Sequence, residues 1–318
     1  MSALFLSEDD VRELADIDMA IDAVEKAFAA LAAGTADNIP RRRAKASGIW
    51  LHGMHASAEY LGVSGWKFYS TTKSGARFHV GLYDNASGEL VAMIEADELG
   101  RLRTGAASGV ATEAMARPDA SVVGLFGTGR QARTQLQAVC KVRQIERVEV
   151  YSRNADRCAL FAEEMSELCV TEVVSVHSPD EAAAEKDIVI TATTSQTPVF
   201  DGRVLVEGTH LNVIGSNTLR KTEIDATTVQ QADHIVCDSI EACRLEAGDF
   251  QEALQLGMTD WRLMHDLSEV VAGEKTGRAT PEDITLFKSV GLAIEDVALA
   301  KAIYDQATNQ GVGRPLPF

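Results

Sequence analysis

The run Val122-Val123-Gly124-Leu125-Phe126-Gly127-Thr128-Gly129-Arg130-Gln131-Ala132 constrains this chain more than any other. A short apolar strand ends in Gly-x-Gly-x-x-Ala, and a helical pattern follows. Gly127 suits the tight turn, and Gly129 lets the backbone approach a pyrophosphate. Ala132 lets the helix pack closely on the strand. The helix N-terminus then offers free N–H groups and the positive end of its dipole to an anion. Around this loop, strand and helix patterns alternate. Strands are expected at 121–126, 147–152, 172–177, 187–194, 211–216 and 234–238, and helices at 131–142, 155–168 and 179–185. That rhythm specifies an α/β fold, a Rossmann-type doubly wound parallel sheet that binds a dinucleotide.

The first third of the chain reads differently. Residues 1–34 form two helical patterns, with Ser7 and Asp10 placed as a capping pair. Asp18 is the expected cap of the second helix, and Gly34 its end. A basic run, Pro40-Arg41-Arg42-Arg43, follows. Strand-like segments are expected at 49–54 and 60–69, with a hairpin from 78–83 and 89–95. A helix at 98–116 ends at Arg117-Pro118. These elements describe a smaller α+β domain over 1–117, followed by the dinucleotide domain over 118–299. A long helix is expected at 287–310, and the segment from about 300 to 318 is expected to rejoin the first domain.

Composition narrows the function classes. The 318 residues carry 30 Lys and Arg against 47 Asp and Glu, a net charge of −17. Such a surface repels phosphate backbones and anionic membranes, so neither nucleic acid nor membrane is an expected partner. No apolar run approaches the roughly 18 residues that span a bilayer, and the acidic N-terminus does not read as a signal peptide. Five scattered cysteines argue against a disulfide framework, and no spacing suggests a metal site. A cytoplasmic protein without structural metal is expected.

The tip of the second strand selects the nucleotide. An acid there would hold the ribose 2′-hydroxyl of NAD. This chain has Val150-Tyr151-Ser152-Arg153-Asn154, and Asp156 falls inside the next helix. Ser152 and Arg153 suit a 2′-phosphate, so NADP(H) is favoured and NAD(H) stays open. Thr193, Thr194 and Ser195 end another strand of the sheet, where they are expected to meet the nicotinamide ribose. Ser195 and Ser216 lack the His and Asp companions of a hydrolase triad.

The chain resembles the ornithine cyclodeaminase/mu-crystallin family. The resemblance runs through Pro40-Arg41-Arg42, Gly65-Trp66-Lys67, Arg103-Thr104-Gly105-Ala106-Ala107 and the loop Gly127-Thr128-Gly129-Arg130-Gln131-Ala132. Ala192-Thr193-Thr194-Ser195 with Pro198, Val213-Ile214-Gly215-Ser216 leading to Glu223-Ile224-Asp225, and Phe287-Lys288-Ser289-Val290-Gly291 complete it. The resemblance implies a homodimer whose smaller domain binds substrate and forms the dimer. It also implies hydride transfer at the carbon α to a carboxylate, on small amino or imino acids. It places Arg42, Lys67 and Arg103 around the substrate carboxylate, where Arg gives a bidentate grip. Lys67 doubles as a candidate acid or base. Thr104, Gly215, Ser216 and Gly291 join the cofactor contacts, with Gly291 letting the backbone approach the nicotinamide. His52 falls near a glutamate of the cyclodeaminases, and Arg77 and His79 are further candidates.

One departure is informative. Cyclodeaminases of this family carry an aspartate where this chain has Asn217. An amide does not titrate in the useful range, so Asn217 can orient an imine, an amine or a water but cannot act as a base. Asn217 and Ser152-Arg153 both favour NADPH-dependent reduction of a small α-imino acid, such as Δ1-pyrroline-2-carboxylate or Δ1-piperideine-2-carboxylate. The alternatives are an NAD-dependent amino-acid dehydrogenase of alanine type, an ornithine cyclodeaminase, and a crystallin-like protein that binds NADPH and ligand without turnover. Aromatic residues make up 6% of the chain and show no clustering that would define a side-chain pocket.

Overall fold

The structure, a computed structural model, describes residues 3–317. It contains two compact units: residues up to Thr104 together with those from Gly291 onward, and Gly105–Val290. The division falls earlier than the 117/118 and 299/300 boundaries read from the sequence. Arg117-Pro118 ends a helix, Asp97–Met115, that starts in the first unit and runs into the second. A continuous helix carries no punctuation where one unit gives way to the next.

The first unit holds a seven-stranded sheet. Its order is Arg314–Pro315, Leu4–Leu6, Leu90–Glu95, Gly75–Asp84, Val63–Thr72, Ile49–Ala58 and Ala36–Ala46. Leu4–Leu6 runs parallel to Leu90–Glu95, and every other pair is antiparallel. The expected hairpin over 78–95 is present. The Ser7–Asp10 capping box also forms. Asp16, rather than Asp18, caps the helix Ile17–Ala32, accepting from the Met19 amide at 2.8 Å. Asp18 lies inside the first turn, where its charge complements the dipole.

The basic run lies on the long strand Ala36–Ala46. Its pairing with Ile49–Ala58 slips between Ile39 and Arg42. Pro40 and Arg41 occupy that bulge and are both buried, which breaks the in–out alternation.

The helix Ala293–Gln310 packs against Ile17–Ala32 and the central antiparallel strands. It starts later than the expected 287, because Thr285–Lys288 is a strand of the second unit. Gly291 separates the two, with a φ of +85° that only glycine adopts without strain.

The second unit is an eight-stranded, wholly parallel sheet. Its order is Met264–Asp266, His234–Cys237, Thr285–Lys288, His210–Val213, Ile188–Thr191, Val122–Phe126, Arg147–Tyr151 and Glu172–Ser175. The chain builds outward from Val122–Phe126 and then returns to place Ile188–Thr191 on its other side. This is the doubly wound arrangement expected from the sequence. Ligands of such sheets bind beyond the carboxyl ends of the strands at that reversal. The strands Met264–Asp266 and Thr285–Lys288 were not legible, being short and in the second case carrying a lysine. Among the described residues no helix is long and apolar enough to cross a membrane, and no cluster of His, Cys, Asp and Glu could hold a metal ion.

Candidate active site

In the second unit the glycine loop has the geometry its sequence promised. Gly127 has a φ of +107°, and a Cβ there would lie 2.5 Å from the carbonyl oxygen of Ala192. Gly129 precedes the 13-residue helix Arg130–Val142 and offers no side-chain cap, so the N-terminus points the positive end of the helix dipole at this loop. A Cβ at Gly129 would meet nothing within 4 Å, which leaves room for a ligand against the backbone. Ala132 is fully buried against the sheet, and Thr128 is buried beside it. Arg130 is exposed and Gln131 half-buried at the start of the helix.

The neighbouring strand ends at Tyr151, leaving Ser152 half-buried and Arg153 exposed. Asn154 caps the next helix through the Arg157 amide at 2.9 Å. No carboxylate stands at 152–154. Thr193 and Gly215 follow the carboxyl ends of their strands, with Thr193, Ser195 and Gly215 half-buried, Thr194 exposed, Ser216 buried and Asn217 exposed.

In the first unit the structure gathers five charged side chains. Lys67 and Arg103 meet on one carboxylate, and Arg41 lies beside them. Arg42 is exposed. The bulge at Pro40–Arg41 decides this, since it turns Arg41 rather than Arg42 inward. Arg41 donates from Nη2 to the carbonyl of Gly291 at 3.2 Å. Lys67 Nζ lies 2.7 Å from Asp296 Oδ1. Arg103 takes the same oxygen with Nε at 3.1 Å and Glu295 Oε2 with Nη1 at 2.7 Å. All five side chains are buried, the two acids completely.

Two glycines make room for this cluster. A Cβ at Gly100 would lie 2.9 Å from Lys67 Nζ, and one at Gly291 would lie 2.7 Å from Arg103 Nη1. Gly291, expected against the nicotinamide, is thus placed against two arginines. Thr104 spends its hydroxyl on the carbonyl of Gly100 at 2.7 Å.

The electrostatics follow from burial. Arg41, Lys67 and Arg103 share one buried group with Glu295 and Asp296. Burial drives the Lys67 ammonium down to about 8, and Arg103 and Arg41 push the same way, while Asp296 opposes them. An amine poised near neutrality can give and take a proton.

Beside the cations an aromatic column crosses three strands. His52 stacks on Tyr69 at 4.1 Å between centroids, and Tyr69 on Phe78 at 5.0 Å. The register makes these residues direct neighbours. This is the aromatic cluster that composition concealed, because its members come from separate strands. His52 accepts from Arg43 Nε at Nδ1 and lies 3.2 Å from Thr71 Oγ1 at Nε2, so both ring nitrogens are engaged. Burial and the charges of Arg43 and Arg41 drive its pKa down to about 4. His52 is therefore a neutral wall of the site. Arg77 and His79 lie on the opposite face from Lys67, since alternation follows the pairs Lys67–Val80 and Tyr69–Phe78.

Sequence reasoning missed Glu295 and Asp296. Their signal was two acids in the first turn of a helix whose next residues are all apolar, Val297-Ala298-Leu299-Ala300. Buried carboxylates there require cationic partners.

A parallel dinucleotide sheet in one chain with an α+β unit that buries a group of cations defines an NAD(P)-dependent oxidoreductase. The chain belongs to the ornithine cyclodeaminase/mu-crystallin family, whose pattern matches residues 1–311. It is 38% identical over 238 residues to a Delta(1)-pyrroline-2-carboxylate reductase of Bacillus cereus, covering 74% of this chain and 73% of that protein. Among solved structures, the Thermococcus litoralis Delta(1)-pyrroline-2-carboxylate reductase, in complex with NADH and L-proline, superimposes with a TM-score of 0.94. The two share 38% identity, over 98% of this chain and 100% of the other. An archaeal alanine dehydrogenase dimer with bound NAD gives 0.94 at 32% identity over the whole of both chains.

Proposed function

We propose that this protein reduces a small cyclic α-imino acid to the amino acid with a nicotinamide dinucleotide as hydride donor. The gathering of Arg41, Lys67 and Arg103 in one buried group carries the reading. Arginine forks and a lysine ammonium brought together are the side chains suited to grip a carboxylate, and the substrate carboxylate is the anion they would take. The glycine loop supplies the second requirement, a seat for the dinucleotide. Relatives named for Δ1-pyrroline-2-carboxylate reduction support the ring as the substrate frame.

Each group then has a task. Arg103 and Arg41 hold the carboxylate. A dinucleotide held at the glycine loop would supply the hydride that the imine carbon takes, the C=N electron pair moving to nitrogen. Lys67 supplies the proton that nitrogen takes, and Asp296 holds the ammonium in place. Asn217, in the second unit, is able to hydrogen-bond but not to act as a base. Its lack of a titratable carboxylate speaks against ornithine cyclisation. Thr193, Thr194, Ser195, Gly215 and Ser216 border the nicotinamide end of the dinucleotide.

Ser152 and Arg153, with no acid beside them, favour NADP(H), with NAD(H) accepted more weakly. Relatives with bound NADH or NAD make the second cofactor a necessary comparison. We also expect a homodimer, as in the archaeal alanine dehydrogenase. An alanine-type dehydrogenase is the second reading, carried by that protein's full-length match.

The test follows absorbance at 340 nm with NADPH or NADH against Δ1-pyrroline-2-carboxylate, Δ1-piperideine-2-carboxylate, and pyruvate with ammonia. Oxidation with a cyclic ketimine at least tenfold faster than with pyruvate and ammonia is expected, NADPH having the lower KM. Replacing Arg153 by Ser should raise the KM for NADPH about tenfold and leave that for NADH within twofold. Turnover confined to NADH, pyruvate and ammonia would transfer the assignment to the second reading.

The bulge at Pro40–Arg41 yields a separate expectation. Arg41→Ala should raise the KM for the imino acid more than tenfold, whereas Arg42→Ala should leave it within twofold. The reverse order would place the wrong arginine in the cluster.

A further inference from the structure

The reading above leaves unexplained a fully buried ionic group in the second unit, Glu223, Asp249 and Lys288. Glu223 follows the loop after the strand His210–Val213, Asp249 sits in a short turn of helix, and Lys288 ends the strand Thr285–Lys288. Nothing in their sequence neighbourhood demands such burial, and their contacts show what it serves.

Glu223 receives four donors. Oε1 accepts the Thr193 amide and the Thr193 hydroxyl, each at 2.7 Å. Oε2 accepts the Gly215 amide at 2.6 Å and the Thr191 hydroxyl at 3.0 Å. Its own amide donates to Asp249 Oδ1 at 2.6 Å. Asp249 Oδ2 pairs with Lys288 Nζ at 2.7 Å, and Lys288 Nζ donates to the carbonyl of Ser216 at 2.9 Å. The dipeptide Gly215-Ser216 is therefore held at its first amide by a carboxylate and at its last carbonyl by an ammonium. Asn217 is the next residue.

The same carboxylate fixes Thr193, one residue beyond Ala192. The Ala192 carbonyl is the group that a Cβ at Gly127 would strike, and the Ala192 amide donates to the carbonyl of Phe126 at 2.9 Å. Gly215 has no room for a side chain either, since a Cβ would lie 2.4 Å from Glu223 Oε1 and from the Thr193 carbonyl. Three loops at the carboxyl ends of adjacent strands are thus locked to one another. They are the glycine loop, 192–195 and 215–217. A carboxylate that takes four donors in a dry interior fixes its partners far more rigidly than backbone pairing alone, because any lost donor leaves charge uncompensated.

We propose that Glu223, held by Asp249 and Lys288, is a positioning residue that sets the loops receiving the nicotinamide end of the dinucleotide and carrying Asn217. It acts through Thr193 and Gly215–Ser216 and touches neither cofactor nor substrate. This inference rests on the dinucleotide reading. It assigns the adenine end to the glycine loop and the strand tip at Ser152-Arg153, outside the reach of the Glu223 carboxylate.

That division supplies the test. Wild type, Glu223→Gln and Thr193→Val are titrated by fluorescence with NADPH, NADH, ADP-ribose and 2′-phospho-ADP-ribose, the last two lacking nicotinamide. Unfolding temperature is recorded for each. Glu223→Gln should weaken the preferred dinucleotide about tenfold and leave the matching fragment within twofold, and kcat should fall with it. Thr193→Val removes one donor without disturbing the carboxylate, and should show the same split at about threefold. Equal dinucleotide affinity in both variants overturns the positioning role. So does loss of dinucleotide and fragment together in proportion to the unfolded fraction, in both variants. A folded wild-type protein that binds neither dinucleotide would overturn the dinucleotide reading and this inference with it.

Discussion

Replacing Lys67 by Met should lower kcat/KM for the cyclic imino acid about a thousandfold, within the range observed when a general acid is removed. That loss corresponds to about 4 kcal/mol of transition-state stabilisation at about 1.4 kcal/mol per tenfold. The pH dependence makes the prediction specific. The Lys67 ammonium is driven by burial down to about 8. In the wild type, kcat/KM should be level below that pH and fall about tenfold per unit above it, as the proton donor is lost. The Met variant should show no such limb. Stability provides a second reading with its own sign. Between about 8 and the ordinary lysine value of 10.5, the unfolded chain holds this proton and the folded chain does not. The contribution of Lys67 to stability therefore rises with pH across that window, and the Met variant should lack the rise. A variant with an unchanged rate would remove Lys67 from the chemistry. A variant with a low rate but an unchanged alkaline limb would assign the limb to another group.

How far the sequence could lead is instructive at particular residues. The dinucleotide loop was fully legible, because its demands are local. Gly127 needs a positive φ, Gly129 needs open space and Ala132 needs a small side chain, and each is written at a fixed offset within one strand–turn–helix. Lys67 and Arg103 were legible only through the family resemblance. Arg42 was named through the family resemblance, and a run of three arginines does not show which of them a bulge turns inward. One extra residue shifts every later side chain to the other face. Asp296 and Glu295 were hidden differently. They lie 229 and 192 positions from the cations they neutralise, Lys67 and Arg103. Only tertiary structure brings them together, and the acids look like ordinary first-turn helix residues. The strand Thr285–Lys288 was read as the start of a helix because Lys288 spoils an apolar run, and its burial makes sense only beside Asp249. Chemistry confined to one turn could thus be read directly, whereas pairings across the fold could not.

Replacing Arg103 by Ala should have the largest effect on stability as well as on activity. Arg103 binds both buried acids, Glu295 through Nη1 and Asp296 through Nε. Glu295 loses the guanidinium contact at 2.7 Å, and Lys67 remains bound to Asp296 alone. Breaking a buried pair by deleting one partner costs about 3–5 kcal/mol, since the remaining charge stays in a dry environment. For a chain of this size that corresponds to an unfolding temperature lower by about 10 °C. Arg103→Lys should recover only part of it, because one ammonium cannot reproduce a fork that reaches two carboxylates at fixed separation. Activity should fall at least a thousandfold in the Ala variant, with the KM for the imino acid rising while the affinity for the dinucleotide stays within twofold. Arg103→Ala combined with Glu295→Gln discriminates between the two roles. The second change removes the charge that Arg103 faced, so unfolding temperature should recover by several degrees while activity stays low. Recovery of both together would make Arg103 a structural ion-pair residue and leave the carboxylate to Arg41 and Lys67.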